Sequence, residues 1–88
     1  MLTSHALLLK YRHDPRFNFA DVTVWYVDRG APGDRSCARG PVITGMTDQY
    51  LEISTQAGIK YIPFHRLWRI AYCGKTTWER QTGPSGLA

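Results

Sequence analysis

The chain has 88 residues, 43% hydrophobic and 12% aromatic, enough for one small packed domain and against intrinsic disorder. Its net charge of +4 favours acidic partners, nucleic acid among them. No apolar run approaches the roughly 20 residues of a membrane helix, and Leu7 to Leu9 lacks the flanks of a signal-peptide core.

Thr3 or Ser4 caps a short helix running to about Arg12, with Leu7, Leu8 and Tyr11 supplying one apolar stripe. Asp14 ends it, because a residue before proline is pushed out of the α region. Phe17 and Phe19 alternate with Asn18 and anchor the connection onto the core. Residues 22–27 are β-branched and aromatic and predict a strand. Val22, Val24 and Tyr26 share one face; Thr23, Trp25 and Val27 share the other. Apolar groups on both faces point to a central strand. Residues 28–34 then hold two glycines, a proline, an arginine and two acids in one loop. Residues 36–38 read as a short strand, and Val42 with Ile43 fits a brief strand or a turn of helix equally. Residues 49–54 alternate, setting Tyr50 and Glu52 opposite Leu51 and Ile53. A hairpin turn around Gln56, Ala57 and Gly58 leads to a strand over 59–62. Pro63 bars a regular central ladder, so Phe64, His65 and Arg66 bend away or sit on an edge. Strand character returns over 67–72, with Leu67, Arg69 and Ala71 alternating against Trp68, Ile70 and Tyr72. Gly74 and Lys75 turn into a last strand over 76–80, and the glycine-, proline- and serine-containing residues 81–88 read as a mobile tail.

One N-terminal helix followed by five or six short strands predicts an α+β domain over residues 3–80. The expected sheet is curved and mainly antiparallel, with a small, partly closed barrel as one form of it. The tail and the lack of an independent catalytic signal fit a module within a longer protein.

Recognising phosphate or RNA requires fixed cationic donors, often arginine for its bidentate fork, and aromatic faces for bases. The 28–34 loop offers glycines for close backbone approach and Pro32 for stiffness, with Arg29 and Arg35 beside them. A well-made turn explains the same residues. His65 and Arg66 sit at the proline bend, and Arg12, His13 and Arg16 at the helix end. Tyr61 and Phe64 are aromatic candidates, as are Trp25 and Trp68, although the tryptophans are expected in the core. Lys10, Arg39, Lys60, Lys75 and Arg80 read as ordinary surface charge. His13 and His65 admit a general acid–base pair for RNA cleavage or cyclic-phosphate opening, without any accompanying nucleophile or oxyanion motif. His5 has no expected role. No histidines or cysteines share a metal-ligand spacing, and no phosphate-loop or dinucleotide fingerprint implies a cofactor. Cys37 and Cys73 alone indicate no disulfide framework, so an intracellular setting, cytoplasmic or nuclear, is expected.

Four segments read together resemble a known family: Asp-Pro-Arg-Phe at 14–17, Tyr-Val-Asp-Arg-Gly-Ala-Pro-Gly-Asp at 26–34, Ile-Pro-Phe-His-Arg at 62–66 and Gly-Lys-Thr-Thr-Trp-Glu-Arg at 74–80. In that order and spacing they are similar to the RNA cyclic group end recognition domain, a small archaeal domain also found in eukaryotic multidomain proteins. The resemblance runs from about Leu7 to Arg80. It implies binding without catalysis, to RNA termini with a 2′,3′-cyclic phosphate or a related phosphate end, beside other domains of an RNA-processing protein. Carried onto matching positions, it implies contacts from Arg29, Gly30, Gly33 and Asp34, with His65 and Arg66 opposite. Arg35 adjoins that set, and His13, Arg16, Tyr61 and Phe64 are secondary candidates. Asp34 is expected to brace the loop and Trp78 to join the core. Family members commonly carry tyrosine where Phe64 stands, a change that keeps the ring and removes a hydroxyl.

Two other readings compete. One is a metal-independent cyclic phosphodiesterase or ribonuclease using His13 and His65. The other is a protein-interaction module using an exposed sheet edge. End binding requires Arg29, His65 and Arg66 to converge on one face.

Overall fold

Thr3 Oγ1 accepts a hydrogen bond from the Ala6 amide at 3.1 Å and starts α1 (Ser4–His13) in the computed structural model, which describes residues 3–80. The cap satisfies one of the free amides of the first turn. Asp14 turns extended at the other end, its amide still donating to the Lys10 carbonyl at 2.9 Å. Leu7, Leu8 and Tyr11 are buried, as the apolar stripe predicts. The expected tail at 81–88 lies outside the described residues.

Seven strands follow: β1 (Val22–Val27), β2 (Arg35–Arg39), β3 (Ile43–Met46), β4 (Tyr50–Thr55), β5 (Gly58–Pro63), β6 (Leu67–Tyr72) and β7 (Lys75–Glu79). The α+β class holds, and every pairing is antiparallel. The single sheet of five or six strands does not. The strands divide into a four-stranded sheet, β2-β1-β6-β7, and a three-stranded sheet, β3-β4-β5, with no barrel closure.

The reason lies at two corners. The chain leaves the first sheet through a 3₁₀ turn at Gly40–Val42 and returns through another at Phe64–Arg66. Pro41 lies in the first turn and Pro63 immediately precedes the second. Each proline lacks the amide that would extend a ladder and fixes φ, so the chain turns out of the sheet at these points. Ile43, undecided between strand and helix, begins a true strand after the first corner.

Helix and sheets share one core. Val22, Val24 and Tyr26 of β1 and Leu67 and Ile70 of β6 face Leu51, Ile53 and Ile62 of the smaller sheet, with Leu8 of α1 fully enclosed. Phe17, Phe19 and Trp78 pack partly buried against this cluster, as expected of them. Tyr72 ties the helix exit down: its ring stacks on Tyr11 at 4.9 Å and its hydroxyl accepts from the Asn18 amide at 2.8 Å.

β6 departs from strict alternation. Trp25 pairs with Arg69 but Tyr26 pairs with Leu67, leaving Trp68 as the extra residue of a β-bulge. Leu67 and Ile70 therefore both enter the core, where alternation had put them on opposite faces, and Trp68 and Arg69 both leave it.

Gly40 is the most closely packed of the described glycines, since a Cβ there would collide with the Phe19 carbonyl and crowd Ala20. Gly40→Ala is expected to cost about 3 kcal/mol, a fall of at least about 12 °C in melting temperature. Gly45→Ala, whose new carbon meets only the flexible Glu52 carboxylate at 3.3 Å, should cost under a third of that. Thermal unfolding followed by circular dichroism checks the pair, and equal shifts would refute the corner as the point of constraint.

Candidate nucleic-acid interface

The 28–34 loop leaves β1 at Val27 and enters β2 at Arg35, residues that pair with each other. Gly30 and Gly33 stand at φ 97° and 69°, left-handed values that favour glycine. The loop is closed by its own backbone. The Asp28 amide donates to the Asp34 carbonyl at 2.7 Å, Ala31 to Asp28 at 3.1 Å and Asp34 to Ala31 at 2.8 Å. The Gly30 amide donates to the Asp34 carboxylate at 3.3 Å, so Asp34 braces the loop as expected. These amides are engaged internally, which makes the loop a stiff strut more than an amide cradle for an anion.

Asp28 fastens the strut to the rest of the domain. Ser36 Oγ donates to its carboxylate at 2.7 Å, and Lys60 Nζ of β5 reaches it from the other sheet at 3.1 Å. The Ser36 bond first, then Lys60, holds this carboxyl below its usual range, with a smaller contribution from the positive charge of Arg66.

The second wall is the corner at Phe64–Arg66. The Phe64 amide donates to the Gln49 carbonyl at 3.0 Å, and its ring is buried against His5 at a centroid distance of 4.8 Å. Arg80 clamps the corner from below: Nε donates to the Leu67 carbonyl at 2.8 Å and Nη2 to that of Phe64 at 3.1 Å. His65 and Arg66 lie between those carbonyls and are exposed.

β1 ends and β6 begins at the same end of the four-stranded sheet, so strut and corner adjoin. They border a cleft of about 690 Å³ whose lining includes Arg35, His65, Arg66, Trp68 and Arg80, with Val27 and Glu79. Arg35, His65 and Arg66 are thus brought together. Arg29, Gly30, Gly33 and Asp34 are exposed on the loop and do not line the cleft. The expected convergence of Arg29 with His65 and Arg66 is therefore not found, and Arg35 stands beside them instead.

The secondary candidates fall elsewhere. His13 closes α1 at the end packed beside Tyr72, whereas His5 at the other end packs on Phe64, next to His65. Eight residues of helix, about 12 Å, separate those ends. The acid–base pairing of His13 with His65 therefore lacks its geometry. Arg16 is held in an exposed pair with Asp14 at 2.8 Å, and its hydrogen bonds bring the Asp14 carboxyl down to about 2. Phe64 is too enclosed to offer a base its face. Tyr61 is 56% exposed on β5, an edge strand that also exposes Ile59, and meets Tyr50 edge-on at 5.3 Å.

One candidate escaped the sequence reading: Arg80 read as surface charge, although it closes the 74–80 segment that resembles the family. Trp25 and Trp68, aromatic candidates expected in the core, lie outside the core cluster, half-buried on the other face of the sheet. There Arg35 sits over Trp68 at 4.5 Å and Arg69 over Trp25 at 4.6 Å. Trp68 Nε1 is enclosed without a hydrogen-bond partner among the described residues.

A family model described as the MJ1316 RNA cyclic group end recognition domain matches residues 1–80. The chain belongs to that family. Comparison with curated proteins and with solved structures gave no match. The family's description names recognition of an RNA end, in keeping with a cationic cleft more than with a paired acid and base.

The Asp28 linkage gives the strut a pH dependence. A carboxyl held below its usual 3.8 adds stability that is complete above that value and is lost as pH falls through the lowered one. Asp28→Asn should therefore lower the melting temperature at pH 7, with the difference from wild type closing as the medium is acidified through the lowered value. A difference unchanged by acid would mean that the carboxylate does not carry the contact.

Proposed function

We propose that this domain is a non-catalytic RNA-binding module that holds RNA termini carrying a 2′,3′-cyclic phosphate or a related phosphate end, within an intracellular RNA-processing protein. The observation that carries the reading is the meeting of Arg35, His65 and Arg66 in one cleft beside Trp68. A cyclic phosphate offers two non-bridging oxygens and one negative charge. Arg66 and Arg35 supply bidentate donors from the two walls, and His65 can donate to a ribose or bridging oxygen. Arg80, bonded to two carbonyls, serves as fixed positive charge and as the brace that keeps His65 and Arg66 projecting. The strut presents Arg35 and leaves Arg29 at the rim. A single histidine in the cleft, with its would-be partner at the far end of α1, supports binding over bond cleavage.

The test is binding of short RNAs identical except for the 3′ terminus: cyclic phosphate, phosphomonoester or hydroxyl. Losing charge-assisted hydrogen bonds of about 1.5–3 kcal/mol should weaken the hydroxyl end roughly ten- to hundredfold. Arg66→Ala and His65→Ala should erase most of that preference, and Arg29→Ala much less of it. Salt will weaken all the RNAs, by a slope of about −0.7 per phosphate contacted on a single strand, while the preference persists. Equal affinity for cyclic and hydroxyl ends would sink the proposal, as would turnover of a 2′,3′-cyclic nucleotide.

A further inference from the structure

The cleft takes one terminal nucleotide, but the surface next to it is built for more of the strand. The β-bulge at Trp68 turns two consecutive residues of β6, Trp68 and Arg69, onto the outer face of the four-stranded sheet. Trp25 of β1 faces outward beside them, and β2 adds Arg35 and Arg39 to the same face. The indole centroids lie 6.5 Å apart, and each ring carries a guanidinium at about 4.5 Å. Glu79, paired with Arg69 across β7, is the acid of this face opposite those three arginines.

Such a surface suits neither the interior nor plain solvent. Half-exposed tryptophans with arginines on them are the furniture of single-strand nucleic-acid sites, where any base can stack and phosphates take the charge. The spacing fits as well. A separation of 6.5 Å is about twice the ~3.4 Å per nucleotide of a stacked strand, so a stretched chain sets neighbouring bases on neighbouring indoles. Four residues of β1, from Val27 at the cleft to Thr23 opposite Arg39, cover about 13 Å, room for two such steps.

We infer that the outer face of the β2-β1-β6-β7 sheet is a platform for the unpaired nucleotides that precede the RNA terminus, with successive bases on Trp68 and Trp25 and a phosphate at Arg39. The inference deepens the end-recognition reading and rests on it for the direction of the strand. Trp68 belongs to both cleft and platform, and its unpaired Nε1–H is a donor for a nucleotide oxygen once Arg35 leaves the ring for a phosphate. The cation–π contact that Arg35 gives up is weak at an exposed site. Trp25 belongs to the platform alone. The ligand class is single-stranded RNA of about three nucleotides, of any sequence, because every base has a face to stack.

The test measures affinity of the whole chain for a 2′,3′-cyclic nucleoside monophosphate and for cyclic-phosphate-ended oligonucleotides of two, three and five residues. Affinity should rise up to about three nucleotides and then level. Trp25→Ala, checked for folding by circular dichroism, should weaken the five-residue ligand about tenfold, the effect of one lost base stack, and leave the mononucleotide unchanged. Arg39→Gln, at an exposed position of β2, gives a second variant with the same pattern and a shallower salt slope. An affinity that is flat from one nucleotide onward overturns the platform, as does five-residue binding untouched by both variants. An absence of RNA binding at any length overturns it too and turns the face over to a protein partner. Hydroxyl-ended oligonucleotides separate the two readings: length- and Trp25-dependent binding without end preference keeps the platform and removes the terminal site.

Discussion

One guanidinium holds the corner on which the architecture turns. Pro63 has no amide to continue the β5 ladder, so the chain must leave the small sheet there. It re-enters the large sheet after the three-residue turn Phe64–Arg66, at Leu67. Arg80 donates to carbonyls on both sides of that turn, Phe64 and Leu67, and its own amide donates to Trp68. The Phe64 carbonyl also accepts from the Leu67 amide within the turn, so the guanidinium adds a second donor there and ties the residue after β7 to the corner from which His65 and Arg66 project.

Opposite this corner stands a loop that is rigid for a different reason. Its backbone amides close on Asp34 and Asp28, and Asp28 reaches across to Ser36 and Lys60. A flexible loop could fold around an anion. In this one the amides of Asp28, Gly30, Ala31 and Asp34 are already engaged internally, so side chains are most of what it presents. The division of labour follows: stiff strut on one side, clamped corner on the other, and cationic side chains between them. A site so fixed leaves little ordering to be done when a ligand binds.

The bulge at Trp68 links packing to recognition. Inserting one residue lets Leu67 and Ile70 both serve the core while Trp68 and Arg69 both face outward. A regular strand would have forced a choice between a filled core and an aromatic surface. The outward tryptophans are covered by guanidiniums at contacts worth about 0.5–1 kcal/mol each at exposed sites. Contacts of that size cover part of the rings without locking the guanidiniums onto them.

Local chemistry made much of this legible. The helix and its caps, β1, the β4–β5 hairpin and the break at Pro63 all follow from propensities and missing amides that act within a few residues. The four family segments, too, are contiguous stretches of sequence. The split into two sheets was not legible, because it depends on which strands find each other across 20 or more residues once the proline corners have turned the chain. Strict alternation misassigned Trp68 for the same reason: a bulge is a mismatch between two strands and has no signature in either alone. Arg80 read as solvated charge because its partners, the carbonyls of Phe64 and Leu67, lie 16 and 13 residues away. The sequence by itself determined the elements, the positive charge and the kinship with RNA-end recognition domains. Tertiary structure decided that Arg35, not Arg29, faces His65 and Arg66, since only the pairing of β1 with both β2 and β6 sets those side chains around one cleft.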